Sequence, residues 1–83
     1  MTTLQVGLLG FGTVGAGVAR LLIDSADRIR ARLGMDLNLK YVADIDLDTD
    51  RGIHLADGVL INDADRVVND PEVGIVIEMI GGE

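Results

Sequence analysis

The sequence predicts an α/β protein, the N-terminal part of a doubly wound parallel sheet, and three observations carry that prediction. Apolar and amphipathic segments succeed one another in the order strand, helix, strand, short strand, helix, strand. The first of them, with Val6, Leu8 and Leu9, runs apolar in the manner of a strand covered on both faces. Four glycines then crowd into the eight positions from Gly10 to Gly17, where that strand gives way to a helical pattern.

Each element follows from local chemistry. Leu4 to Leu9 reads as the first strand. From Thr13 onward Val14, Val18, Leu21, Leu22, Ile29 and Leu33 recur at three- and four-residue spacings, leaving Arg20, Asp24, Arg28 and Arg32 to face water. That pattern is one long helix, or two joined near Asp24 and Ser25, closed by Gly34, which can take the left-handed conformation of a C-terminal cap. Leu37 to Ile45 alternates and then runs apolar, and reads as a second strand ending at Asp44. An acidic loop, Asp46 to Gly52, follows. A weak strand around Val59 to Ile61 and a short helix from Ala64 to Val68 lead into a strand at Val73 to Ile80, closed by Gly81 and Gly82. Asp63, Asp65, Asn69 and Asp70 fit helix capping and turn chemistry.

Composition narrows the function. With 48% hydrophobic residues among 83 and one proline, the chain is too apolar to be disordered. Fourteen acidic against seven basic residues give a net charge of −7, which excludes a sequence-independent grip on nucleic acid phosphates. The absence of cysteine excludes disulfides and thiolate metal sites and fits a cytoplasmic setting. Val6 to Ala19 is uncharged but too short and too glycine-rich for a membrane span, and no metal site is expected around the lone His54. A complete sheet of this type has more strands, so residues 1–83 are expected to be the N-terminal portion of a dinucleotide-binding domain, with the substrate and catalytic domain elsewhere.

The glycines carry the chemistry. Gly10, Gly12 and Gly15 form G-x-G-x-x-G: the first permits the tight turn, the second lets a pyrophosphate approach the backbone, and the third lets the helix pack closely on the strand. The helix that begins at Thr13 and Val14 presents N–H groups without intrahelical partners, and its dipole favours an anion. A Rossmann-type dinucleotide site is the reading, against a tight turn that merely packs.

Asp44 is the candidate for the adenosine ribose, since a carboxylate accepts bonds from both vicinal hydroxyls and repels a 2′-phosphate; it favours NAD over NADP. It lies 29 residues beyond Gly15 rather than the usual ~20, a delay the long helical segment accounts for. Asp46 is a rival shifted by two, and Arg51 is the residue that would greet a 2′-phosphate. Gly81 and Gly82, at the carboxyl end of the last strand, are candidates to lie against the nicotinamide or its ribose, the alternative being an ordinary turn. Glu78 is read as a strand-end carboxylate and His54 as a surface residue.

Three stretches together closely resemble the N-terminal cofactor domain of homoserine dehydrogenases: Gly7 to Val18 (GLLGFGTVGAGV), the acidic loop before Arg51 and Gly52, and Asp70 to Gly82 (DPEVGIVIEMIGG). The resemblance spans essentially the whole chain. It implies an oxidoreductase interconverting L-homoserine and L-aspartate 4-semialdehyde with NAD(P), in threonine and methionine biosynthesis. The backbone around Phe11, Gly12, Thr13 and Val14 would hold the pyrophosphate, and Gly81 and Gly82 would border the nicotinamide ribose. Many family members carry a basic residue at the end of the second strand, where this chain has Asp44-Ile45-Asp46. The family's catalytic lysine and substrate carboxylates have no counterpart here; Lys40 lies in a strand and does not match. The intact protein is expected to be a homo-oligomer and this piece alone inactive. Alternatives from the motif are another small-molecule Rossmann dehydrogenase, acting on a sugar or inositol, and a non-catalytic NAD-sensing module.

Overall fold

The computed structural model describes residues 2–48 and 52–79. Its elements are β1 (Thr3–Leu9), α1 (Thr13–Asp24), α2 (Ala26–Leu33), β2 (Asp36–Ala43), β3 (Leu60–Ile61), α3 (Ala64–Asn69) and β4 (Val73–Glu78). The strands form one parallel sheet in the order β3-β2-β1-β4. Because β2 and β3 lie on one side of β1 and β4 on the other, the winding reverses at β1. In open α/β sheets that reversal opens a crevice at the carboxyl ends of the strands.

The helices cover opposite faces. Consecutive strand residues point to opposite sides, and Leu8 and Val42 pack with Ala16 and Ala19 of α1, whereas Leu9, Tyr41 and Ala43 pack with Val67 of α3. The helical segment breaks at Ser25, whose N–H still reaches the Leu21 carbonyl at 3.0 Å. It closes at Gly34 with φ +72°, the left-handed cap expected there. Asp63 caps α3 by accepting the Arg66 N–H at 3.2 Å. Among the described residues no helix is long and apolar enough to cross a membrane.

The buried face of α1 is a correction to the sequence reading. Gly15, Ala16 and Ala19 are its buried residues, while Leu21 is 57% exposed and Val14 and Leu33 are similarly open. Small side chains let the helix approach the sheet closely; of the larger apolar residues in the pattern, Val18 packs at the edge of the core and Leu22 and Ile29 are half-buried, while Val14, Leu21 and, in α2, Leu33 are turned outward.

Both neighbours of β1 slip register near Val6. In β2 the partner of Val6 is Leu39 and that of Gly7 is Tyr41, so Lys40 is an extra residue; in β4 Gly74 is skipped between Val73 and Ile75 in the same way. The interruption lets Lys40 and Tyr41, adjacent in sequence, both reach the turn before β4. Lys40 Nζ lies 2.7 Å from Asp70 and 2.8 Å from Glu72, and the Tyr41 hydroxyl donates to Asp70 at 2.7 Å.

Candidate functional site

The loop joining β1 to α1 is held from three directions. Gly10 takes φ +103°, open to glycine at little cost, and its N–H donates to the Ala43 carbonyl at the end of β2, at 2.7 Å. The Phe11 ring is buried among Leu8, Ala16, Ala19 and Val42. The Phe11 N–H donates to Asp44 Oδ2 at 2.6 Å, short enough to mark a charge-assisted bond. On the other flank, the Met79 N–H pairs with the Leu9 carbonyl at 2.7 Å, so the ends of β1, β2 and β4 meet beneath the loop.

The three glycines of the motif separate by cause. Gly10 answers a backbone requirement, and Gly15 answers a packing one, since a Cβ there would collide with the Gly10 carbonyl oxygen. Gly12 answers neither: its backbone is extended, at φ −73° and ψ −161°, and a Cβ built on it would meet nothing within 4 Å. The fold has no use for a glycine at 12, and open space over the N-terminus of α1 is what its missing side chain preserves. Gly12 is also the N-cap residue and makes no side-chain cap, and the first turn of α1 contains no acidic residue. N–H groups at the start of a helix have no carbonyl four residues back to bond. Space, donors and dipole together suit the diphosphate of a dinucleotide.

Asp44 is brought to this junction from β2. Its second oxygen, Oδ1, accepts the Asp46 N–H at 2.9 Å, and Asp46 in turn accepts the Asp48 N–H at 3.0 Å, so the acidic segment is a succession of side-chain-to-backbone turns. Of the residues singled out from sequence, Gly10, Phe11, Gly12, Thr13, Val14, Gly15 and Asp44 converge here. The Phe11 N–H, expected among the diphosphate donors, is committed to Asp44, and the N–H groups that follow belong to the first turn of α1, where intrahelical partners are lacking. Gly81, Gly82 and Arg51 lie outside the described residues. Sequence reasoning overlooked Ile45, which stands 95% exposed between Asp44 and Asp46; a large apolar residue flanked by carboxylates was the available signal.

A parallel doubly wound sheet whose first crossover begins with a fixed glycine loop and an uncapped helix defines a dinucleotide-binding domain of the Rossmann type. The family described as "Homoserine dehydrogenase, NAD binding domain" matches residues 10–83, and the chain belongs to it. Homoserine dehydrogenase of Bacillus subtilis is 40% identical over 99% of this chain and 19% of its own length. That of Synechocystis is 39% identical over 96% of the chain and 18% of its own. The crystal structure of S. aureus homoserine dehydrogenase at pH 8.5 superposes with a TM-score of 0.82 at 29% identity, covering 94% of this chain and 20% of that one. The chain thus spans about a fifth of the length of the relatives it matches.

Proposed function

We propose that this chain is the cofactor-binding part of an NAD(P)-dependent homoserine dehydrogenase, which interconverts L-homoserine and L-aspartate 4-semialdehyde in threonine and methionine biosynthesis. The observation that carries the reading is Gly12, a glycine that neither backbone nor packing demands, at the open N-terminus of α1. The N–H groups of Gly12, Thr13, Val14 and Gly15 hold the diphosphate, while Gly10 and Phe11 shape the loop. The Asp44 carboxylate, with lone pairs left after its two backbone bonds, accepts the adenosine ribose hydroxyls and disfavours a 2′-phosphate, so NAD is the preferred cofactor. Gly81 and Gly82 border the nicotinamide ribose.

When bound, the nicotinamide supplies the hydride acceptor and donor. This chain's residues bind and orient it, and the groups that handle the amino-acid substrate and its proton lie elsewhere in the intact protein, which acts in the cytoplasm. The apolar residues Ile75 and Val76 of β4, about two-fifths exposed, support further burial against the rest of a homo-oligomeric protein. Calorimetric titration with NAD and NADP, together with a spectrophotometric assay of homoserine oxidation by the intact protein, tests the reading. Binding without homoserine oxidation by the intact protein would overturn the enzymatic part of it.

A further inference from the structure

We infer that Asp44 is a positioning residue for the diphosphate loop, acting through the Phe11 N–H, in addition to any contact with ribose. The inference rests on the dinucleotide reading above and deepens it. Its basis is the 2.6 Å bond from Phe11 N to Asp44 Oδ2, a side-chain clamp joining two elements 33 residues apart in sequence. Three attachments fix the backbone just before the diphosphate donors: Gly10 N–H to Ala43, the buried Phe11 ring, and the Phe11 N–H to Asp44. Only the last is a hydrogen bond to a side chain. The other carboxylate oxygen is held by the Asp46 N–H at 2.9 Å, so the clamp is itself oriented by the turn after β2. Removing the carboxylate strands a part-buried N–H at the point where the loop must hold the direction of the next peptide groups.

Simple electrostatics gives the opposite sign. A carboxylate beside a diphosphate repels it, so its removal alone would tighten binding. A positioning role weakens binding instead, and does so whether or not the ligand has ribose hydroxyls.

The experiment compares ADP with 2′,3′-dideoxy-ADP, which keeps the diphosphate and lacks both vicinal hydroxyls, on the wild-type protein, Asp44→Asn and Asp44→Ala. Asn removes the charge but keeps an acceptor oxygen for Phe11, whereas Ala removes both. The expected result is that Asp44→Ala binds dideoxy-ADP roughly tenfold more weakly than wild type, with Asp44→Asn intermediate. Loss confined to ADP, or equal or tighter dideoxy-ADP binding by both variants, overturns the positioning role and leaves the dinucleotide reading standing. Failure of the wild-type protein to bind ADP or NAD at all overturns that reading and the inference with it. A measurement on the wild type guards against misfolded variants: amide hydrogen exchange at Phe11 is expected to be slow both without ligand and with inorganic pyrophosphate bound. A freely exchanging Phe11 amide overturns the clamp.

Discussion

The α-carbon of Gly15 faces the carbonyl oxygen of Gly10 with no room between them for a Cβ. This contact sets the distance at which α1 leaves the sheet, and it makes Gly15 a structural glycine. Gly15→Ala is therefore expected to destabilise the protein by about 1–3 kcal/mol, as overpacking a fixed backbone contact does. The midpoint of urea unfolding, followed by circular dichroism, measures it, and an unchanged midpoint would count against the contact.

Gly12 is expected to behave oppositely. A Cβ there meets nothing, so Gly12→Leu should leave stability within about 0.5 kcal/mol of wild type, as for open surface positions. The new side chain occupies the space over the start of α1, and NAD binding should fall below detection in a calorimetric titration. Retained affinity would place the diphosphate elsewhere.

Cofactor choice gives a third test. The end of β2 carries Asp44 and Asp46 around Ile45, and a 2′-phosphate placed there meets like charge, which costs several kcal/mol. NAD should bind more than about tenfold tighter than NADP, and Asp44→Ala should narrow that ratio, weakening NAD while relieving the repulsion on the 2′-phosphate of NADP. Competitive titration of the two nucleotides reads the ratio directly, and a preference for NADP would remove Asp44 from the ribose site.

The cluster before β4 governs acid stability. Asp70 receives the Lys40 ammonium, the Glu72 N–H and the Tyr41 hydroxyl, and these hold its carboxyl down to about 2. Lys40 is shifted upward by Asp70 first and Glu72 second. A carboxyl lowered on folding contributes stability that is fully present above its ordinary range, near pH 4, and is lost as pH falls toward 2. The ammonium's contribution is present below its ordinary value and persists until strongly alkaline pH. Wild type should thus lose stability between about pH 4 and 2 more steeply than Lys40→Met, whose Asp70 has lost its strongest partner. Parallel acid limbs in urea unfolding against pH would show that the cluster contributes nothing.

Much of this architecture is written in short-range pattern. β1 is largely an apolar run and β2 alternates before turning apolar, the break at Ser25 and the cap at Gly34 are local conformational preferences, and Asp63 caps α3 through a bond three residues long. The glycine spacing was legible for the same reason, because a turn between a strand and a helix constrains only its own few residues. The buried face of α1 was not, since periodicity counts large apolar residues as inward whereas Gly15, Ala16 and Ala19 are what the sheet accepts.

By itself, then, the sequence determined the order of the elements, the strand-to-helix bend at Gly10 to Gly15 and the acidic end of β2. Tertiary structure alone decided that Asp44 holds the Phe11 N–H, that Lys40 is the extra residue of β2 and shares Asp70 with Tyr41, and that Gly12 borders open space. The division has a physical cause: dihedral preference and hydrophobic spacing act over a few residues, whereas these contacts join segments about 30 residues apart, and only sheet register and the approach of α1 bring them within bonding distance.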